Sequence, residues 1–445
     1  ELKTTVMKTF PFSVLRLPLP VLLIAAAMAF AGCQKEEPVP EEPLGSGMQE
    51  QITFAVVNDY TDYINFNVTA GRLLVDWGDG SSPETYTATG YMTHTFPGNS
   101  TYTVQVWGEA LRVLDFGNLL LTSLEVRGCT ALEKLNCHEH LLTSLDVSGC
   151  TALQELVCWG GTLASLDASG CAALRKLDCG INQLTSLDVR GCVALERLNC
   201  GNSELTSLDV RGCATLVKLE CLYNHLTALD VSGCPALREL DCDFNQLTSL
   251  DVSDCPALRN LACGGNPFAS LDVRGSKELR ALACGAGSLT SLDVSDCTAL
   301  QEVVCAFNLL PVLDVSGCPA LQNLWCYNNR LTSLNVSGCP ELREMGCGNN
   351  RLPSLDVSGR AALQSLFCGG NQLTALDITG CAALKEMDCQ NNNLTAETLD
   401  AIFANLRPYT PTDDDIVYII ISDNPGSAAC DPSIANGRGW SVYNN

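Results

Sequence analysis

Basic residues are scarce in this sequence. Among 445 residues, 26 Lys and Arg stand against 50 Asp and Glu, a formal net charge of −24. Such a balance repels phosphates and argues against a nucleic-acid partner. Histidine is rarer still, with four residues (His94, His138, His140, His225), and aromatics make up 6% of the chain. No nucleophile motif or phosphate-cradling loop accompanies them, so neither an enzyme nor a cofactor site is expected. Charged residues amount to only 17% and apolar ones to 46%, which excludes disorder over most of the length. The apolar run from Val21 to Ala31 is too short to span a bilayer. Against these scarcities stands one excess, 26 cysteines.

That apolar run follows Lys8 and Arg16, with Met7 the expected natural start, and it ends Phe30-Ala31-Gly32-Cys33. A basic segment, a short apolar segment and small residues make a secretory signal. The end of it resembles a bacterial lipobox, with Phe30 where Leu is usual. The resemblance implies that residues 1–32 are removed and that Cys33 is lipidated; a plain signal cut near Ala31 is the alternative. A Pro- and Glu-rich stretch at 33–49 cannot bury apolar area and reads as a flexible tether. Its opening Lys35-Glu36-Glu37 resembles the surface-export signal of Bacteroidetes lipoproteins. This implies an outer-membrane, cell-surface location, with the lipid anchor as the only membrane contact.

Residues 50–110 alternate apolar and polar residues in short runs such as Ile52–Val57, Leu73–Trp77 and Tyr102–Trp107, as a small antiparallel β-sandwich would. The series Val75-Asp76-Trp77-Gly78-Asp79-Gly80, His94-Thr95-Phe96 and Tyr102–Val106 resembles the PKD family of immunoglobulin-like domains. In that motif His94 is a packing residue rather than a catalyst.

From residue 121 a 21-residue unit recurs thirteen times without slippage, reading L-T-S-L-D-V-S-G-C-x-A-L-x-x-L-x-C-x-x-N-x up to 393. One unit cannot bury its own apolar positions, so neighbours must stack into one core. The Leu-x-Cys segment has the two-residue period of a strand, here expected on a concave face, and Leu-Asp-Val forms a second extended run. At about 4.8 Å per strand the array would be roughly 60 Å long. The register Leu321-Gln-Asn-Leu-Trp-Cys-Tyr-Asn-Asn-Arg-Leu331 resembles the leucine-rich repeat, as in bacterial surface proteins of Bacteroidetes and, more distantly, internalins. The expected fold is thus mainly β: a leucine-rich-repeat solenoid over 111–393, a PKD-like sandwich before it, and an α/β cap at 394–445. In the cap, Leu399, Ile402, Phe403 and Leu406 have helical spacing after Thr395, and Ile416–Ile421 reads as a strand.

The cysteines fall into two columns, thirteen from Cys137 to Cys389 and eleven from Cys129 to Cys381, with Ser276 and Arg360 filling the second. Parallel side chains one strand apart are too distant for the ~3.8 Å Cβ separation of a disulfide. Nor do they converge as a zinc site requires, so they read as small core residues. An Asp column from Asp146 to Asp377 has two readings, turn amides accepted as in Asx turns or calcium bound along the ladder. No metal site is assigned.

Repetition fixes the core and leaves the outward strand positions free, so function is expected there. That face carries Trp159, then acidic Asp178, Glu220, Asp241 and Asp243, then aromatic Trp325, Tyr327 and Phe367. Clustered aromatics bury much area at low entropic cost. These eight residues are the candidate binding site, for a protein partner or host surface ligand in adhesion. A glycan, or a purely structural role in the envelope, are the alternatives.

Overall fold

The computed structural model describes residues 50–57, 64–87, 90–117, 119–410 and 417–444. The signal segment, the tether and Cys33 lie outside the described residues. Among those described, no helix is long and apolar enough to cross a membrane.

Eight strands open the chain: β1 (Glu50–Val57), β2 (Ile64–Thr69), β3 (Arg72–Asp76), β4 (Glu84–Thr87), β5 (Gly90–His94), β6 (Thr101–Gly108), β7 (Val113–Asp115) and β8 (Leu121–Glu125). They form two sheets, β4-β3-β6-β1-β8 and β5-β2-β7, whose pairings are antiparallel. Ile52, Phe54, Val56, Val104 and Val106 are fully buried between them, the inward half of each alternation. His94 sits as packing: it stacks on Trp77 at 4.4 Å and its Nε2 lies 2.8 Å from the Asp79 carboxylate.

Neither sheet ends with the module. β7 pairs in parallel with Lys134–Asn136, and from there three-residue strands recur every 21 residues to Glu386–Asp388, all parallel and in register. β8, within the first repeat, pairs with β1 of the other sheet. Each sheet therefore leads into one wall of the solenoid. Glu50 adds a clamp, its carboxylate accepting the amides of Leu111 at 2.7 Å and Ala131 at 2.8 Å.

The second wall is broken. Ser144–Asp146, Ser165–Asp167 and Ser186–Asp188 make one sheet; further on only strand pairs and isolated bridges survive. What holds this wall instead is the Asp column. From Asp146 to Asp377, with Asn335 among them, each side chain accepts the backbone N–H two residues ahead, at 2.8 Å for Ser148 and 2.9 Å for Ser253. The carboxylates close Asx turns, the first of the two readings. Among the described residues no group of three or more His, Cys, Asp or Glu side chains is placed to hold a metal ion.

Between the walls, the leucine columns are buried along the whole array, each side chain contributing about 1.5–3 kcal/mol by leaving water. The turn after each strand carries carbonyls into this interior, and a buried unpaired carbonyl costs about 1–3 kcal/mol. The conserved-position Asn answers them. Asn266 Nδ2 donates to the carbonyls of Cys242, Cys263 and Gly264 at 3.0, 3.0 and 3.2 Å, and its Oδ1 accepts the Leu247 amide at 3.0 Å. Nine units share this arrangement, from Asn182 to Asn392.

Where Asn is missing the ladder improvises. At the equivalent place in the first repeat, His140 accepts the Leu142 amide through Nδ1 and sets Nε2 3.1 Å from the Cys158 carbonyl. It thereby serves the next turn, where Gly161 leaves room: a Cβ on Gly161 would meet the imidazole at 2.2 Å. Ser203 is too short to reach, and its buried Oγ has no partner.

All 24 repeat cysteines are free and buried. The second column does more than fill space, since its thiols donate to the carbonyl 24 residues back, as Cys150 does to Val126 at 3.2 Å. Arg360, in the same column, places its Nη1 3.0 Å from the Val336 carbonyl instead. Burial pushes the Cys137 and Cys200 thiols up to about 12.

The C-terminal segment continues the chemistry after the sequence stops repeating. Helix α1 (Ala396–Asn405), capped by Thr395, buries Leu399, Ile402 and Phe403. Tyr418–Ile420 then pairs with Glu386–Asp388, and Ser441–Tyr443 pairs with it in turn, both parallel. The short helix α2 (Pro432–Asn436) lies between these two strands. Asn424 takes the ladder position, donating to the carbonyls of Cys389 and Ile421 at 2.9 Å. The cap thus adds two turns as well as covering the end.

Two measurements test this interior. Iodoacetamide at pH 8 is expected to leave the 24 ladder thiols unmodified in the native protein and to alkylate them after denaturation, Cys430 reacting first; ladder labelling without unfolding would contradict the buried columns. Ser203→Asn, which restores the amide opposite the Cys179 and Cys200 carbonyls, is expected to stabilise the fold by about 1 kcal/mol, seen as a higher melting temperature.

Candidate functional site

The strand that builds the continuous sheet buries its central residue, so the next one emerges on the outer side. Parallel in-register pairing then lines those residues into one column. Asp178, Asn199, Glu220 and Asp241 follow each other strand by strand. Each 21-residue interval of sequence reduces here to a step of about 4.8 Å. All are half-buried.

This acidic column is held, not merely collected. Asn199 Nδ2 donates to Asp178 Oδ1 at 3.0 Å, and Asp241 Oδ1 accepts the Asp243 amide at 3.2 Å. Lys218 bridges Glu220 at 3.2 Å and Glu239 at 3.5 Å. Burial raises the Asp178 and Asp241 carboxyls above the usual range, with Glu220 adding repulsion to both. Backbone amides and the nearby lysines oppose the shift without cancelling it.

Asp243 does not belong to the exposed set that sequence spacing predicts. It is 4% exposed, and its Oδ1 accepts the Gly264 amide at 2.6 Å. The residue after each Cys begins the turn, so a short side chain there folds back onto the next turn instead of facing outward.

The larger side chains at that position do emerge. Trp159 stacks on His138 at 5.0 Å, far along the sheet from the other aromatics. Tyr327 meets the edge of Phe307 at 5.3 Å. Trp325 and Phe367 come together across the intervening strand, ring centroids 6.3 Å apart and nearly parallel. Gly346 permits this, because a Cβ there would come within 2.6 Å of the Trp325 ring. The predicted C-terminal aromatics therefore form one half-buried patch, with Phe307 as an additional member.

Sequence spacing also missed a column. Two residues after each strand Cys the backbone turns left-handed, and Asn202, Asn328, Asn349, Asn391, Gly160, Gly265 and Gly370 suit that conformation. Ile181, Tyr223, Phe244 and Phe307 occupy the same place at φ of 54°, 51°, 52° and 58°. Ile181 is 58% exposed, Phe307 54% and Tyr223 41%. Tyr223 and Phe244 stack at 4.6 Å. The signal was present as an exchange of Asn or Gly for a bulky residue at one fixed position of the unit.

The chain is a β-solenoid, and solved structures of leucine-rich-repeat proteins resemble it. The functional domain of InlJ from Listeria monocytogenes, which includes a cysteine ladder, is 29% identical over 74% of this chain and 77% of its own, with a TM-score of 0.55. A leucine-rich-repeat protein of Leptospira interrogans matches at 23% identity, 71% and 84% coverage and a TM-score of 0.59. The LRIM1/APL1C complex matches at 21% identity, 65% and 58% coverage and a TM-score of 0.52. No family model and no curated protein sequence matches the chain.

The shifted carboxyls carry a stability consequence. Because the folded state holds the Asp241 proton more tightly than the unfolded state, its ionisation above about pH 4 works against folding. Asp241→Asn keeps the acceptor for the Asp243 amide and is expected to raise the melting temperature at pH 7, with the gain fading below about pH 4, where both states are protonated. Thermal melts across that range check it.

Proposed function

We propose that this is a surface lipoprotein, anchored through Cys33, whose continuous sheet binds a protein partner in adhesion or in contact with a host or neighbouring cell. On this reading the PKD-like module is a spacer as well as a cap, and the tether holds the scaffold away from the membrane. The distinctive residues of the continuous sheet are those a scaffold does not need.

The observation that supports it is the patch of Phe307, Trp325, Tyr327 and Phe367. Packing of the solenoid requires Leu and Cys at the inward positions and sets no demand on these outer ones. Half-buried rings that pack on one another lose little entropy when covered, the property that makes aromatics strong interface anchors. The leucine-rich-repeat likeness, and the association of two such proteins in the LRIM1/APL1C complex, fit a protein-interaction scaffold. Rings beside carboxylates also suit sugars, so the same test includes a glycan arm.

Trp325→Ala with Tyr327→Ala is expected to weaken capture of a cell-surface protein at least about tenfold while leaving the melting temperature nearly unchanged. Surface extracts of host and neighbouring cells, alongside a glycan array, provide the measurement. Unchanged capture by the double variant would move the site elsewhere, and retention on glycans alone would replace a protein partner by a sugar.

A further inference from the structure

Between the two aromatic groups the sheet changes character. Phe244 and Phe307 stand at the same turn position three strands apart, a separation of about 14 Å at sheet spacing. The two turns between them carry no large side chain: Ala262, Gly264, Ala283 and Gly285 form the surface, and Gly265 and Ala286 take the places of the rings. The walls are well supported. Tyr223 stacks on Phe244, whose ring in turn lies over Gly265, and Phe307 is braced by the edge of Tyr327. The result is a shallow trough with an aromatic wall on each side and a floor of methyl groups and backbone.

The walls cost something to build. A residue other than Gly or Asn in the left-handed region is disfavoured by about 1–2 kcal/mol, and seven units lower that cost with Asn or Gly, while Glu139 and Ala286 share it without a ring. Rings held so, partly exposed and flanking a floor with nothing to fill it, are better explained by an occupant than by the scaffold.

Charge indicates what that occupant is. Glu220 and Asp241 stand on the outer side of the strands that lead into Tyr223 and Phe244, and Lys218 pairs with Glu220 at 3.2 Å. Arg238, Arg259 and Arg280 precede the strands, on the flank away from the ring-bearing turns, where Glu239 also lies. Carboxylates beside ring faces favour a cation that can pair with the one and rest against the other.

We propose that this trough takes a Lys- or Arg-bearing polypeptide segment of the partner, its cationic side chains against Glu220 and Asp241 and its apolar side chains on the alanine–glycine floor between the rings. The proposal rests on the protein-binding reading above and assigns a second contact region, which adjoins the Trp325 patch and shares Phe307 with it. Because Glu220 and Asp241 precede Tyr223 and Phe244 on their strands, the basic residues of the segment lie at that end of the trough.

The full chain is probed on an array of twelve-residue peptides that combine Lys or Arg with Leu and Pro, paired with the same peptides carrying Glu in place of each cation. The basic set is expected to be retained and the acidic set not, with retention falling at least about tenfold between 50 and 300 mM salt. Glu220→Gln with Asp241→Asn, nearly isosteric, is expected to remove most of the preference, and Ala283→Trp to block the floor; melts confirm that both variants fold. Equal retention of acidic and basic sets, or retention untouched by both variants, overturns the proposal. If Ala283→Trp still captures the cell-surface protein while Trp325→Ala with Tyr327→Ala does not, the trough falls and the protein-binding reading stands. If neither peptides nor any surface protein bind, both fall.

Discussion

The constraint that governs this molecule is the fate of backbone carbonyls inside a tightly wound coil. A 21-residue turn is too short to wrap a helix around its outer side, so its corners enter the interior, where water cannot reach them. Backbone pairing between turns runs from each continuous-sheet strand into the residues after it, as Cys179 N–H to the Asn199 carbonyl and Ile181 N–H to the Gly201 carbonyl at 2.8 Å, and still leaves corner carbonyls and turn amides open. The corners are answered by side chains, and in three ladders. Asn amides serve the carbonyls after the strand, thiols serve those of the opposite wall, and Asp carboxylates take the turn amides. Each ladder bond runs to its own or an adjacent turn, so every unit is completed by its neighbour.

This explains why the ends are built as they are. A solenoid that stopped after a repeat would leave one face of apolar side chains and one row of corner carbonyls open. At the start, the β-module lends both of its sheets to the two walls, and Cys129 reaches the Gln51 carbonyl of β1 at 3.9 Å, as if β1 were a preceding turn. At the other end, a segment with none of the repeat consensus supplies two strands and the single amide of Asn424. What is preserved at both ends is the hydrogen-bond partner, and sequence similarity is not needed for it. The same logic operates within the array, where His140 or Arg360 replaces the usual residue by reaching the same class of acceptor from a different place.

Much of this was legible in the sequence because the period is so regular. A fixed 21-residue spacing identifies the leucine columns as core and the cysteines as unpaired, and it places Asp178, Glu220 and Asp241 in one line; between the two readings of the Asp column only the side-chain bonds decide. The columns could be read because parallel pairing in register is the only arrangement that a slip-free repeat allows. What escaped depends on backbone direction at individual residues. Asp243 has the same spacing as Trp159 and Tyr327, yet it folds under, since a short acceptor reaches the next amide and a large ring cannot. The left-handed turn position was hidden in the same way, for periodicity marks which residues are equivalent and not which conformation they share. The merging of the first module with the solenoid follows from pairings, β1 with β8 and β7 with the first repeat strand, between segments that share no pattern.

The exceptions are therefore where function should be sought, and they are concentrated. A repeat free to drift toward its most stable form would keep Asn or Gly at the left-handed turn and would avoid carboxylates whose ionisation opposes folding. Between Asp178 and Phe307 this chain departs from both rules: Ile181, Tyr223, Phe244 and Phe307 occupy the strained position, while Asp178 and Asp241 hold raised carboxyls beside them. No ladder gains from these choices, since neighbouring units close the same hydrogen bonds without them. Sites that cost stability without serving the scaffold are what a binding surface looks like before its partner covers it. The distribution of the negative charge matters more than its total, because the Asp column is committed to turns on the other wall, while Glu220 and Asp241 stand on the continuous sheet near the rings.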